Sequence, residues 1–153
     1  MFRKFTGSVR LNSMFIIETD VIYAVMKRED SLKSLARLVL RKSRKLYCSS
    51  ASLMEVLSVL KALGKFESVA PKVRALGNFS NIEFLPVTPE IADKAAGIHM
   101  KKQLTFFDSF YAATALVLDA TLVSSDAAFE SVPGLKYLSV NRYVSEVLSE
   151  SIT

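Results

Sequence analysis

Acidic residues stand where the sequence predicts a change from strand to helix. Glu18 and Asp20 directly follow a run of four apolar residues, and Asp126 follows a second apolar run and two serines. Glu55 and Asp108 lie in the first turns of two predicted helices. Each acid alone could be a helix cap or a surface residue. Together they predict a cluster of carboxylates, which repel one another unless a hard cation such as Mg²⁺ or Mn²⁺ neutralises them.

A cation held by carboxylates activates water and neutralises charge on a phosphoryl group. The chain has a formal net charge of +5, which suits a polyanionic partner. An acidic cluster in a basic protein therefore indicates a phosphodiesterase that faces RNA or DNA. Without a cation, repulsion within the cluster is expected to raise the pKa of at least one carboxyl group.

The elements that must position these acids alternate between strands and helices. Apolar runs predict five strands, at residues 15–17, 46–48, 82–85, 121–123 and 135–140. Apolar spacing and capping signals predict helices at 20–26, 32–45, 53–63, 66–76, 88–102, 107–119 and 141–149. This alternation indicates a parallel sheet with right-handed crossovers. Ligands bind at the carboxyl edge of the strands in such sheets, which is where the acids would lie.

Local signals also predict how individual helices begin and end. Ser31 is expected to cap the second helix, and Thr88 is expected to cap a later helix that has Pro89 in its first position. Gly64 is expected to end the third helix. Ala112 extends the apolar stripe that begins at Asp108, so this helix can lie close against the sheet.

The composition is that of one globular domain and excludes several other classes. We predict a single domain over residues 14–153, preceded by an N-terminal arm or extension at residues 1–13. No apolar run is long enough for a membrane span, and no signal peptide is apparent. The single cysteine, Cys48, fits a reducing cytoplasm. No glycine-rich phosphate loop occurs, and His99, the only histidine, has no neighbouring nucleophile and is expected to be a surface or packing residue.

Four segments between residues 14 and 140 resemble the motifs of one family, the PIN-domain ribonucleases, and most closely its VapC-type toxins and archaeal stand-alone proteins. The first strand of that family ends in Asp-Thr-Asn/Ser-Val, and its second acid follows a Ser/Thr-rich helix start. Its third acid opens an Asp-x-x-x-Ala-Ala/Thr-Ala helix, and its last motif is Thr/Ser-x-Asp-x-x-Phe. The matching segments here are Glu18-Thr19-Asp20-Val21, residues 49–55 ending in Glu55, residues 108–115 beginning with Asp108, and Ser124-Ser125-Asp126-Ala127-Ala128-Phe129.

The resemblance implies a three-layer α/β/α sandwich with a central parallel sheet of about five strands. It also implies a Mg²⁺- or Mn²⁺-dependent endoribonuclease that acts on RNA, forms a homodimer and, if it is a toxin, binds an antitoxin protein. Glu18, Asp108 and Asp126 would hold the metal, with Asp20 as a further ligand. Glu55 would position metal or water, and Ser124 would orient the cluster by hydrogen bonding.

One position departs from the family pattern, because the first acid is Glu18 rather than Asp. Mg²⁺ requires near-ideal octahedral geometry at about 2.0–2.1 Å, so one additional methylene matters. Three alternatives remain open: Glu18 reaches the metal, Asp20 replaces it, or activity is lost and the protein is a degenerate PIN module that binds RNA or a protein. A haloacid-dehalogenase-type phosphatase is disfavoured because it requires an Asp nucleophile where Glu18 stands.

Overall fold

Five parallel strands form a single sheet in the computed structural model, which describes residues 13–27, 29–101 and 104–150. The strand order is β3-β2-β1-β4-β5, and every neighbouring pair is parallel. The central strand β1 is buried along its whole length, which explains its uninterrupted apolar sequence. The strands are β1 Phe15–Ile17, β2 Leu46–Ser49, β3 Ile82–Leu85, β4 Thr121–Ser124 and β5 Lys136–Ser139.

Seven α-helices surround the sheet in the described part of the chain, and the last continues as a π-helical segment, Tyr143–Leu148. Two short 3₁₀ turns, Ala75–Asn78 and Ala127–Ser131, complete the regular structure. None of these helices has the length and hydrophobicity needed to cross a membrane. The helices are α1 Thr19–Met26, α2 Lys33–Lys42, α3 Ala51–Ala62, α4 Phe66–Arg74, α5 Pro89–Met100, α6 Phe106–Val117 and α7 Val140–Arg142.

Side chains that alternate along β1 divide the core into two layers. Ile17 packs in one cluster with residues of α1, α2 and the C-terminal π-helical segment, whereas Ile16 packs in another with residues of α5 and α6. Alternation of successive side chains between the two faces of a strand produces this division. The result is the predicted α/β/α sandwich with its five-stranded parallel sheet. Ala112 is fully buried, so α6 lies close against the sheet as its alanines predicted.

The local predictions for helix ends hold except at one position. Thr88 accepts a hydrogen bond from the Ile91 amide at 3.2 Å, and Gly64 adopts φ of +66° after α3, a conformation that favours glycine. The predicted cap at Ser31 is wrong. Leu32 is the residue before α2, and no side chain of the described residues caps this helix. Asp30 accepts a hydrogen bond from the Leu32 amide at 2.8 Å in the turn that precedes it.

Two sequence predictions fall wholly or partly outside the described residues. These are the arm at residues 1–13, of which only residue 13 is described, and the predicted end of the fifth helix at residue 102.

The strand register brings the candidate site together at the carboxyl edge of the sheet. Ile17 pairs with Cys48 of β2 and with Val123 of β4, so the three strands end at nearly the same level. The Glu18 amide continues the ladder by donating to the Val123 carbonyl at 3.2 Å. The chain leaves β1 and β2 into α1 and α3 at this edge, and it leaves β4 towards Asp126 beside them.

Candidate active site

Glu18 lies at the end of β1 and only 5% of its surface is exposed. The Ser124 hydroxyl, at the end of neighbouring β4, donates to Glu18 Oε2 at 3.0 Å. Burial, followed by the negative charge of Asp20, raises the pKa of Glu18 well above its ordinary value. Glu18 is therefore a buried carboxyl group with another acid beside it.

Asp20 lies in the first turn of α1 and faces the end of β4. Its Oδ2 accepts hydrogen bonds from the Ser125 amide at 2.7 Å and from the Ser125 hydroxyl, and it lies 3.4 Å from the Ser124 hydroxyl oxygen. Its Oδ1 is buried and has no hydrogen-bond partner among the described residues. A buried oxygen without a partner is uncommon in proteins, and an ion can be its missing partner.

Asp126 is exposed and opens the 3₁₀ turn that follows β4. Its Oδ1 accepts a hydrogen bond from the Ala128 amide at 2.9 Å, and its own amide donates to the Ser124 hydroxyl at 3.0 Å. The Ser124 hydroxyl thus connects the backbone at Asp126 with the carboxylates of Glu18 and Asp20.

Asp108 lies in the first turn of α6, three residues after the helix cap Thr105. The Thr105 hydroxyl donates to Asp108 Oδ2 at 2.6 Å. Burial and the charges of Asp126 and Asp20 raise the pKa of Asp108, and the Thr105 hydrogen bond opposes this shift. Asp108 and Asp126 line the same cleft, which has a volume of about 610 Å³ and whose other lining residues are His99, Met100, Leu104, Thr105 and Ala128.

Glu55, on α3, is held by hydroxyl groups that its sequence motif does not reveal. Glu55 Oε2 accepts hydrogen bonds from the Tyr111 hydroxyl and from Thr19 Oγ1, the latter at 3.0 Å. Thr19 Oγ1 also lies 2.7 Å from the Tyr111 hydroxyl and 3.0 Å from the Ser52 hydroxyl. Burial is the main reason that the pKa of Glu55 is raised, and both hydrogen bonds oppose the shift.

One sequence signal could have identified Tyr111. It follows Asp108 by three positions on the same helix, so the two side chains are neighbours on the helix surface. Thr19 and Ser52 also lie within the motif segments of Glu18 and Glu55. Which acid each hydroxyl meets depends on how α1, α3 and α6 pack together.

The predicted rise in carboxyl pKa is present for Glu18, Glu55 and Asp108, although burial is a larger cause than repulsion. Even so, no three His, Cys, Asp or Glu side chains within the described ranges stand close enough together to hold one ion. The carboxylates instead accept bonds from nearby hydroxyls, as Asp108 does from Thr105 and Asp20 does from Ser125.

The donor atoms nevertheless fit a hard divalent cation in their chemistry. All of them are carboxylate oxygens, and one of them, Asp20 Oδ1, is buried with no hydrogen-bond partner in residues 13–27, 29–101 and 104–150. Glu18, Asp20, Asp108 and Asp126 are the candidate ligands, although no three of them stand around one ion position in the described residues.

The comparison with protein families matches the PIN domain to residues 15–135. The chain belongs to the PIN domain family. PIN domains are typically nucleases and are generally metal-dependent. No curated protein sequence gives a significant match.

Solved PIN structures share the fold of this chain at low sequence identity. DNA-bound VapBC from Salmonella typhimurium is 21% identical, covering 84% of this chain and 98% of its own, with a TM-score of 0.64. VapC20 from Mycobacterium tuberculosis, a sarcin–ricin loop cleaving toxin, is 16% identical over 76% of this chain and 93% of its own, with a TM-score of 0.64. PAE2754 from Pyrobaculum aerophilum is 15% identical over 90% and 96%, again with a TM-score of 0.64.

Proposed function

We propose that this PIN domain is a metal-dependent endoribonuclease that hydrolyses phosphodiester bonds in RNA. The observation that carries the proposal is Oδ1 of Asp20, which is buried and has no hydrogen-bond partner in the described part of the chain, next to the buried carboxyl group of Glu18. Glu18, Asp20, Asp108 and Asp126 would hold Mg²⁺ or Mn²⁺. When bound, the cation would activate water and neutralise charge on the phosphoryl group.

The protein groups around these acids would orient them and move protons. Ser124 would keep the carboxylates of Glu18 and Asp20 turned towards the edge of β4. Thr19 and Tyr111 would hold Glu55, whose raised pKa suits a group that accepts a proton from an attacking water. RNA would approach through the open cleft that Asp108 and Asp126 line.

The biological setting that we propose is a toxin–antitoxin pair. The VapBC structure from Salmonella is a toxin–antitoxin complex with the same fold. By analogy, this protein would be a cytoplasmic toxin that forms a homodimer, with an antitoxin protein as its partner and RNA as its substrate. Co-purification of the protein with the product of a small neighbouring gene would test whether it has an antitoxin partner.

The direct test of the enzyme proposal is cleavage of single-stranded RNA by the purified protein. We expect cleavage with Mn²⁺, which tolerates less ideal geometry than Mg²⁺, and none with EDTA. Saturating Mn²⁺ should also raise Tm, because a ligand at about 100 times its Kd adds about 2.7 kcal/mol to the free energy of unfolding. Absence of both effects would contradict the proposal.

The second candidate function is a degenerate PIN module that binds RNA or a protein without cleaving it. Glu18 in place of Asp and the lack of three side chains arranged for one ion in the described residues favour this alternative. The variant Glu18→Asp distinguishes the two. Equal or higher activity than the wild type supports the nuclease, whereas cleavage by Glu18→Asp alone supports a degenerate enzyme. Binding with a steep salt dependence and no cleavage by either protein supports an RNA-binding module.

A further inference from the structure

Two aromatic rings that the proposed chemistry does not use, those of His99 and Phe106, lie beside the cleft. Phe106 begins α6 with 57% of its surface exposed, and Met100 at the end of α5 is 75% exposed. Burial of such apolar surface would stabilise the fold, so its exposure lowers the free energy of unfolding that the protein could otherwise have. His99 connects this apolar surface to the acids, because it lines the same cleft as Asp108 and Asp126.

The rings are held in fixed positions by their neighbours. His99 Nδ1 lies 3.2 Å from the Leu104 carbonyl oxygen, so Nδ1 is the donor and the imidazole is anchored to the α5–α6 connection. Phe106 packs edge-on against His99, with ring centroids 5.8 Å apart and planes at 88°. It also contacts the rings of Phe107 and Phe110 at 5.4 and 5.2 Å. A ring held in this way loses little conformational freedom when a ligand binds.

We propose that the His99–Phe106 pair is a binding subsite for an unpaired nucleobase of RNA. This inference rests on the proposed function, since it places the RNA backbone at the acids and one base against the adjacent aromatic wall. Bases stack on the faces of aromatic side chains, including histidine, with little dependence on sequence. Bases in a duplex are already stacked on one another, so the subsite would favour single-stranded RNA or loops.

Affinity for two RNA probes tests the subsite. The first is an oligouridylate of about 12 nucleotides and the second is a chain of the same length with abasic riboses. Every protein carries Asp108→Asn, so that RNA is bound with Mn²⁺ present but is not cut. We expect His99→Ala and Phe106→Ala to weaken binding of the oligouridylate roughly 5- to 150-fold, the range for loss of one stacked base. Both variants should bind the abasic probe as the parent does.

Two matched variants separate stacking on the rings from hydrogen bonding by the imidazole and from a general loss of exposed apolar surface. His99→Phe keeps an aromatic face but removes both ring nitrogens, so stacking predicts affinity within about threefold of the parent. Phe66→Ala removes an exposed phenylalanine at the start of α4. Phe66 does not line the cleft of Asp108 and Asp126, so this variant should bind both probes as the parent does. Tm measurements establish that each variant is folded. If Phe106→Ala does not fold, Phe106→Leu replaces it, because leucine keeps the apolar bulk without a ring.

Several results would overturn the inference. Equal losses on both probes would mean that the pair contacts the RNA backbone. A loss in His99→Phe as large as that in His99→Ala would mean that the imidazole binds RNA by hydrogen bonding and not by stacking. If His99→Ala and Phe106→Ala bind the oligouridylate as tightly as the parent does, the aromatic surface binds no base. A protein partner is then the candidate ligand for this surface. If the wild-type chain cleaves RNA in any of these cases, only the subsite fails. If it neither binds nor cleaves RNA, the proposed function fails with it.

Discussion

The candidate site has a buried half and an open half, and the two are stabilised differently. In the buried half, Glu18 is bonded by Ser124, which is 106 positions away in sequence, and Glu55 is bonded by Tyr111, which is 56 positions away. In the open half, which lines the cleft, Asp126 is exposed and Asp108 is half-buried, and each carboxylate accepts its bond from a group two or three positions away. The buried half is therefore part of the tertiary structure, whereas the open half is positioned by local turns.

This difference separates stability from chemistry. A buried carboxyl group costs desolvation free energy unless it is paired, and the raised pKa of Glu18 reports that cost. An exposed carboxylate such as that of Asp126 does not carry this cost and is free to meet substrate. Asp108 is half-buried and carries part of this cost, but its bond comes from its own helix turn. We therefore expect substitutions in the open half to change activity with little effect on stability, and substitutions in the buried half to change both.

The largest effect is expected in the open half. Asp108→Asn keeps the size of the side chain and removes one ligand charge, so RNA cleavage with Mn²⁺ should fall by at least about 100-fold. Tm should stay within about 2–4 °C of the wild type, which corresponds to about 1 kcal/mol. Asp93→Asn, an exposed acid on α5, is the matched control and should retain full activity. A large fall in Tm for Asp108→Asn would contradict the division into two halves.

An intermediate effect is expected at Tyr111, in the buried half. Tyr111→Phe removes the hydroxyl that donates to Glu55, so cleavage should fall about 10- to 100-fold, as when the outer partner of a metal site is lost. The free energy of unfolding should fall by about 1–3 kcal/mol because polar groups lose their partner in the core. Kinetics and denaturant unfolding measure the two effects.

Tyr143→Phe is the control for that experiment. Tyr143 is also buried, and its hydroxyl lies 2.8 Å from the Ser43 hydroxyl in the other core cluster. We expect a similar loss of stability with unchanged cleavage. If both variants lose activity equally, Tyr111 acts only through stability, and its role in holding Glu55 for catalysis is wrong.

The smallest effect concerns the pH dependence of stability without metal. The folded pKa of Glu18 is raised above its ordinary value of 4.5, so the folded protein binds this proton more tightly than the unfolded chain. The resulting stabilisation is fully present below the unfolded pKa and is lost as pH rises through the folded one. We compare the Tm of the wild type with that of Glu18→Gln, both in EDTA. The wild-type Tm minus the Glu18→Gln Tm should fall by a few degrees as pH rises from about 5 to about 8.

Glu29→Gln, at an exposed glutamate, is the control and should follow the wild type at every pH. A constant Tm difference between the wild type and Glu18→Gln across this range would show that burial of Glu18 does not carry the expected cost.

Much of the fold was predictable because it depends on residues that are close in sequence. An uninterrupted apolar run identifies β1 as a strand buried on both faces, and Thr88 with Pro89 identifies the start of α5. The exception is Ser31, because α2 begins after Leu32 and has no side-chain cap in the part of the chain that the structure describes, so the capping type of Ser31 did not fix where the helix starts. The acids were also visible, because acids at strand ends stand out from apolar surroundings.

What the tertiary structure alone decided is how these acids are bonded and which of them are buried. Thr19 meets Tyr111 across 92 positions because α1, α3 and α6 converge at the carboxyl edge of the sheet, and no local pattern specifies that meeting. The same packing leaves Asp20 Oδ1 without a partner among the residues that the structure describes, and it places the rings of His99 and Phe106 beside the cleft. Sequence determined the residue types and their order, since secondary structure depends on neighbours along the chain. Packing determined distance, burial and partner, because these depend on residues that only folding brings together.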